Sequence, residues 1–198
     1  MKKGKFIVVE GLDGSGQSTQ VEKLAGGLRK NKIKTHVTKE PTNNLIGGLI
    51  RGQLQEDWKS TPECLQLLFA ADRAHHLEKD VKPYLEKGIT VISDRYFFSS
   101  MAFGSLEIDD WGWLKDINKR FMLPDITFYL QVSPKTCIKR ISENRFSFEL
   151  FEKEKKLKAI GESYKRIAKE YDSFEIIEGE REVEKIAKEI KNKVLKIY

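Results

Sequence analysis

Gly11, Gly16 and Ser18 fall at the spacing G-x-x-x-x-G-x-[ST]. They follow directly on the apolar run Phe6-Ile-Val-Val9. A strand entering such a loop, with a helix behind it, surrounds a phosphate with inward-pointing backbone N–H groups and the positive end of a helix dipole. Gly11, Gly14 and Gly16 supply the φ freedom and the close backbone approach that the anion requires, and Ser15 adds a further N–H. Ser18 places a hydroxyl where a nucleotide carries Mg²⁺, and Thr19 lies near the α-phosphate position. One letter departs from the pattern, because Gln17 stands where lysine is expected. Glutamine donates a hydrogen bond but brings no charge, and losing one such electrostatic contact costs about 2.7–4 kcal/mol of barrier. Three explanations are open: a basic residue elsewhere compensates, the change was introduced to trap a complex, or the protein binds nucleotide and turns it over slowly.

A second group of residues capable of chemistry lies at Val91-Ile-Ser-Asp94-Arg95-Tyr96, a buried-strand pattern ending in a charged pair. An aspartate at a strand tip beside a phosphate loop can hold Mg²⁺, usually through water. An arginine beside it can clamp a phosphate with two parallel hydrogen bonds, or the two can form a purely structural ion pair.

These residues must be positioned by an α/β framework. Strand patterns occur at 5–10, 34–38, 89–94, 126–131 and 174–178, each rich in Val, Ile, Phe or Tyr. Helical patterns cover 17–30, 62–87, 110–121, 133–143, 151–172 and 181–196. Pro62 marks the first turn of the long helix and Gly88 its end. Strands separated by helices pair in parallel through right-handed crossovers, giving a doubly wound sheet with helices on both faces. Its ligands sit at the carboxyl ends of the strands. No repeat or Gly/Ser/Pro linker interrupts residues 1–198, so a single domain is expected.

Composition excludes several classes. No apolar run approaches the ~20 residues needed to span a bilayer. The start Met-Lys-Lys-Gly-Lys5 runs straight into a strand pattern and does not read as a signal peptide. Cys64 and Cys137 form no Cys-x-x-Cys pair, and His36, His75 and His76 have no metal spacing with them, which suits free thiols in a reducing cytoplasm. The net charge of +6 is spread through Lys/Glu-rich helical segments, the pattern of a solvated surface, not of a nucleic-acid stripe.

The chain resembles thymidylate kinase, the family that phosphorylates dTMP with ATP. The resemblance rests on Glu10-Gly-Leu-Asp-Gly-Ser-Gly-x-Ser-Thr-Gln20, on Leu67-Leu-Phe-Ala-Ala-Asp-Arg-Ala-His75 and on Asp94-Arg-Tyr-Phe-Phe-Ser-Ser-Met-Ala-Phe103, in the family's order. It implies a P-loop nucleoside-monophosphate kinase fold with a five-stranded parallel sheet and a short mobile lid at about 141–152. It also implies ATP and dTMP as substrates, Mg²⁺ held by Ser18 and Asp94, and a homodimer formed through helices. The 62–87 and 110–121 segments, with Trp111 and Trp113, are candidates for that dimer surface, or else for core. Phe69 is expected to stack on thymine, Arg73 to donate to a thymine carbonyl, and Ser99 and Ser100 to lie near the base edge. Arg73 is otherwise a surface ion pair with Asp72 or Glu78. Phe103 would crowd a 2′-hydroxyl, Asp13 would reach the 3′-hydroxyl, and Arg95 would hold the acceptor phosphate. Lys39 replaces the arginine of the family's Arg-Glu-Pro turn. It keeps a point charge without the two-pronged geometry. No arginine lies within residues 12–15, so the resemblance points to the lid for the missing charge. Arg145 is the candidate for the transferring phosphoryl, and Arg140 for adenine or the ATP phosphates. His75 and His76 read as helix-surface or packing residues. Beside dTMP phosphorylation stand two alternatives: a nucleotide-binding homologue weakened by Gln17, and a kinase for another pyrimidine monophosphate.

Overall fold

The computed structural model describes residues 3–141 and 148–198. Five strands, β1 (Phe6–Gly11), β2 (Thr35–Lys39), β3 (Thr90–Asp94), β4 (Ile126–Gln131) and β5 (Phe174–Glu178), form one sheet in the order β2-β3-β1-β4-β5. Every neighbouring pair is parallel. Helices cover both faces, so β1 has no solvent side. Phe6 and Val8 enter one core with Tyr96, Phe98, Tyr129 and Tyr164, while Ile7 and Val9 enter the other with Val21, Leu24, Leu28 and Ile190. That two-sided burial is why the strand reads as an unbroken apolar run and not as an alternation.

Helix α1 (Gln17–Lys30) follows the glycine loop, and α9 (Val183–Leu195) packs beside it on the same face. On the other face lie α3 (Pro62–His76), α5 (Phe97–Gly104), α6 (Trp111–Asp116) and α8 (Phe148–Glu170). The Thr61 hydroxyl caps α3 by accepting from the Cys64 N–H, with Pro62 in the first turn. The 62–87 pattern is continuous but not uniform. A π turn at Leu77–Val81 joins α3 to α4 (Lys82–Glu86), just before Pro83, which has no N–H to give to the preceding turn. Helix α7 (Pro134–Ile141) packs against the glycine loop.

Two helices escape the sequence pattern. Helix α2 (Leu45–Leu54) contains three glycines, and α5 is a short apolar run of eight residues. Glycine lowers helix propensity, and a uniformly buried segment has no polar face to set a period. Tertiary contacts decide both. Gly47 lies against the Thr42 backbone, the Arg51 guanidinium donates to the Thr42 carbonyl, and α5 is almost wholly enclosed between β1, α3 and α8. The segment expected to be helical at 110–121 keeps only Trp111–Asp116 as α-helix.

Candidate active site

The carboxyl ends of β1, β2 and β3 come level at one rim. Val9 and Lys39 are both register partners of Asp94, the Arg95 N–H donates to Val9 O at 3.0 Å, and the Glu40 N–H donates to Asp94 O at 3.1 Å. The glycine loop, Asp94-Arg95 and the turn after β2 therefore face one another, although they are far apart in sequence.

The loop has the form its spacing requires. Gly14 has φ +81° and Gly16 φ +91°, both in the left-handed region that favours glycine. A Cβ at Gly14 would stand 2.6 Å from the Cys137 carbonyl oxygen, so α7 closes on the loop from behind. Gly16 caps α1 without a side-chain bond, and no acidic residue occupies the first turn. The N–H groups of that turn have no intrahelical acceptor and remain available to an anion.

Gln17 is buried and turned inward. Its Oε1 accepts from Ser15 Oγ at 3.2 Å, and its Nε2 donates to Asp94 Oδ1 at 3.2 Å. Ser18 Oγ donates to the other carboxylate oxygen, Asp94 Oδ2, at 2.5 Å. The glutamine thus reaches the aspartate at the mouth of the loop but carries no charge there. Thr19 is exposed in the first turn of α1.

Arg95 occupies the centre of the rim with φ +71°, a left-handed conformation that costs a non-glycine residue about 1–3 kcal/mol. The turn is held by Ser93 Oγ donating to Arg95 O at 2.7 Å. It directs Nη2 to Asp13 Oδ1 at 2.6 Å, and Nη1 to Gly11 O and Ser99 Oγ, each at 2.9 Å. The guanidinium carbon also lies 5.2 Å from the Phe103 ring centroid.

Beneath Arg95 is Glu10, which is fully buried. It accepts from Tyr96 N at 2.9 Å, Ser99 Oγ at 2.5 Å and Tyr164 OH at 2.9 Å. Burial raises its pKa from 4.5 to about 7, and the Arg95 charge and these donors offset only part of that rise. Glu10 belongs to the loop motif, yet nothing in its spacing distinguishes it from a strand residue facing solvent.

Beyond Arg95 a cleft of about 310 Å³ opens between α3 and α5. Phe69, Arg73, Ser100 and Phe103 line it, as does Ser99, whose hydroxyl is committed to Glu10, Arg95 and Tyr164. Arg73 is 1% exposed and is not a surface ion pair: its partner is Glu40, at 2.9 Å from Nε, and Asp72 instead accepts from Thr42. Arg73 also donates to Asn118 Oδ1 at 2.6 Å and Ser100 Oγ at 2.8 Å. His76, expected at the surface or in packing, is buried in the same polar chain. Its Nδ1 lies 3.0 Å from Glu40 Oε1 and its Nε2 lies 2.7 Å from Thr38 Oγ1. Asn118 carried no sequence signal, and Glu40 showed only as part of the Lys39-Glu-Pro turn with no hint of its role, because their partners come from other elements.

A second concavity, of about 580 Å³, is lined by Gly14, Gly16, Gln17, Ser18, Thr19, Lys39 and Asp94. The two spaces share Asp13, Glu40, Pro41, Leu54 and Arg95. Arg140 lies outside both. Its Nη1 donates to Ser15 O at 3.0 Å and its Nη2 to Gly179 O at 3.4 Å, tying the outside of the loop to the turn after β5. Arg145 falls outside the described residues. Trp111 packs within its own chain, with the Arg166 guanidinium 4.3 Å from the ring and Nε1 donating to Glu170.

The model of the family Thymidylate kinase matches residues 9–190. The chain belongs to the thymidylate kinase family. It is 40% identical over 164 residues to a probable thymidylate kinase of Thermococcus kodakarensis, covering 77% of this chain and 80% of that protein. It is 40% identical over 159 residues to one of Methanocaldococcus jannaschii, covering 80% and 79%. It is 35% identical over 161 residues to one of Staphylothermus marinus, covering 81% and 80%. The thymidylate kinase match spans both the loop and the α3–α5 cleft, so the two concavities fall within one family pattern. No helix among the described residues is long and apolar enough to cross a membrane.

Proposed function

We propose that this chain transfers the terminal phosphoryl group of ATP to dTMP, giving ADP and dTDP. The observation that carries the reading is the junction of the two concavities at Arg95 and Asp13. ATP phosphates fit the glycine loop, with Gly11 to Thr19 around them, and the nucleoside monophosphate fits the cleft beyond.

Phe69 offers an aromatic face to the base, and Arg73, immobilised by Glu40 and Asn118, offers N–H groups to a carbonyl. Asp13 would reach the 3′-hydroxyl of the sugar, and Phe103 would crowd a 2′-hydroxyl. The acceptor phosphate has its second pKa near about 6 and is largely a dianion at neutral pH, so it attacks without a strong base. The protein's part is positioning and charge neutralisation by Arg95, Lys39, the loop amides and Arg140 behind them. Arg145 and a lid at about 141–152, within a single domain, would complete the positive charge. Closure over both substrates would exclude water.

Ser18 and Asp94 suit Mg²⁺: a hydroxyl and a carboxylate are hard oxygen donors, and they stand within hydrogen-bond distance of each other. No group of three or more His, Cys, Asp or Glu among the described residues is arranged to hold a metal ion, so the nucleotide's own oxygens and water would supply the remaining ligands. Mg²⁺ bound there would neutralise phosphate charge. A cytoplasmic homodimer belongs to the same reading.

The test is ADP release in a coupled assay with Mg²⁺, ATP and a panel of monophosphates. Turnover dependent on dTMP and weak with UMP is expected. ATP binding without dTMP-dependent ADP release overturns the reading, and equal rates with dTMP and UMP remove the role given to Phe103.

A further inference from the structure

Glu40 follows β2 and lines both concavities, but its two oxygens are not used alike. Arg73 Nε and Nη2 both lie 2.9 Å from Oε2, while Oε1 lies 3.0 Å from His76 Nδ1. A guanidinium and a carboxylate commonly form a two-pronged pair, one oxygen to each N–H. Here the second oxygen goes to the imidazole, so His76 decides which way the carboxylate lies against Arg73. All three side chains are buried, and Arg73 and His76 share a face of α3. The rings of Tyr96 and Phe121, with centroids 5.3 and 5.5 Å from the guanidinium carbon, give Arg73 contact without a fixed direction.

The imidazole is itself held from the far side. A carboxylate only accepts, so Nδ1 carries a proton. Nε2 lies 2.7 Å from Thr38 Oγ1, whose hydroxyl donates to it in the neutral ring. Asp80 Oδ2 stands further off, 3.5 Å from Nε2, and accepts from His36 Nε2 at 3.0 Å. Each group thus has its own partner: His36 takes Asp80, Thr38 takes Nε2, and the Nδ1–H is left for Glu40. The opposite tautomer would aim an N–H at Asp80 and set a bare nitrogen against the Glu40 carboxylate.

We infer that His76 is a positioning residue for the acceptor site. Its Nδ1–H, kept in place by the Thr38 hydroxyl, clamps Glu40, and Glu40 in turn fixes the Arg73 guanidinium. His76 does not line the cleft and acts only through these partners. The inference rests on the dTMP reading above.

Asparagine and glutamine separate the two ring nitrogens. His76→Asn keeps an N–H at the δ position, facing Glu40, whereas His76→Gln puts its amide at the ε position, facing Thr38. His76→Asn should hold KM for dTMP within about threefold, and His76→Gln should raise it roughly 10-fold, with kcat and KM for ATP within about twofold in both. A histidine that only fills space predicts the same KM for dTMP in the two variants, and that result overturns the inference. So does a matching rise in KM for ATP. Nitrogen-15 NMR of the unaltered protein gives a reading without these variants: at neutral pH the His76 ring should carry its proton on Nδ1, and a bare Nδ1 overturns the inference. If neither histidine variant folds, Thr38→Val, a change of similar shape on a strand, decides. It should let the proton move to Nε2 and raise KM for dTMP roughly threefold, and failure of either effect overturns the inference. An unaltered protein inactive on dTMP removes the dTMP reading and this inference together.

Discussion

Replacing Glu10 by glutamine should erase a pH-dependent loss of stability. Burial lifts this carboxyl from 4.5 to about 7, against the pull of Arg95, Ser99, Tyr164 and the Tyr96 N–H. At about 1.36 kcal/mol per pH unit, holding the ionised form in the fold costs on the order of 3 kcal/mol relative to the unfolded chain. The sign follows from proton uptake. Below pH 4.5 both states are protonated and the cost is absent. Between 4.5 and about 7 the unfolded chain has released its proton while the folded one still holds it, so stability falls as pH rises. Above about 7 both states are ionised and the full cost is present. Such a step is a large fraction of the about 5–15 kcal/mol that separates folded from unfolded in ordinary domains. Glutamine keeps a carbonyl for the Tyr96 N–H, and the Ser99 and Tyr164 hydroxyls can rotate to accept from its amide. Urea unfolding at pH 5, 6, 7 and 8, on the parent and Glu10→Gln, isolates the group because other titrations cancel in the difference. The parent should lose about 2.5 kcal/mol relative to the variant between about pH 5 and pH 8, the rest of the cost falling outside that range. Parallel curves, or a parent that gains on the variant as pH rises, would refute the assignment of a neutral buried acid at this position.

Two other predictions concern the loop. Gln17→Lys places an ammonium beside Asp94 and should raise kcat with dTMP by roughly 100- to 1000-fold, the worth of one such electrostatic contact. An unchanged or lower rate in the coupled assay would show that the site has adapted to glutamine. Gly14→Ala puts a Cβ 2.6 Å from the Cys137 carbonyl at a φ of +81°. It should cost more than about 1 kcal/mol in urea unfolding, and an unshifted midpoint would contradict the seating of α7 on the loop.

The site divides in the same way as the fold between what is local and what is assembled. The glycine loop, the strand tip at Asp94-Arg95 and the Phe69/Arg73 face are runs of nearby residues whose geometry is imposed by short-range rules, so types and spacing display them. Glu40, Asn118 and His76 are different. Each acquires its part by meeting Arg73 or its partners across elements, and the residues involved stand 33 and 45 positions from that arginine or are joined to it through Glu40. Glu10 is visible as a letter of the loop, but its raised pKa comes from the walls that α5 and α8 build around it.

By itself the sequence determined five parallel strands, the helix that follows the loop, and a phosphate grip with a missing charge, because periodicity, glycine conformations and parallel crossovers depend on neighbours along the chain. Tertiary structure decided that a glycine-rich stretch becomes α2 and an apolar octet becomes α5. It also decided that Gln17 turns to Asp94 and that Arg73 is buried on Glu40, since burial and long-range pairing exist only once the sheet has brought distant residues to one rim.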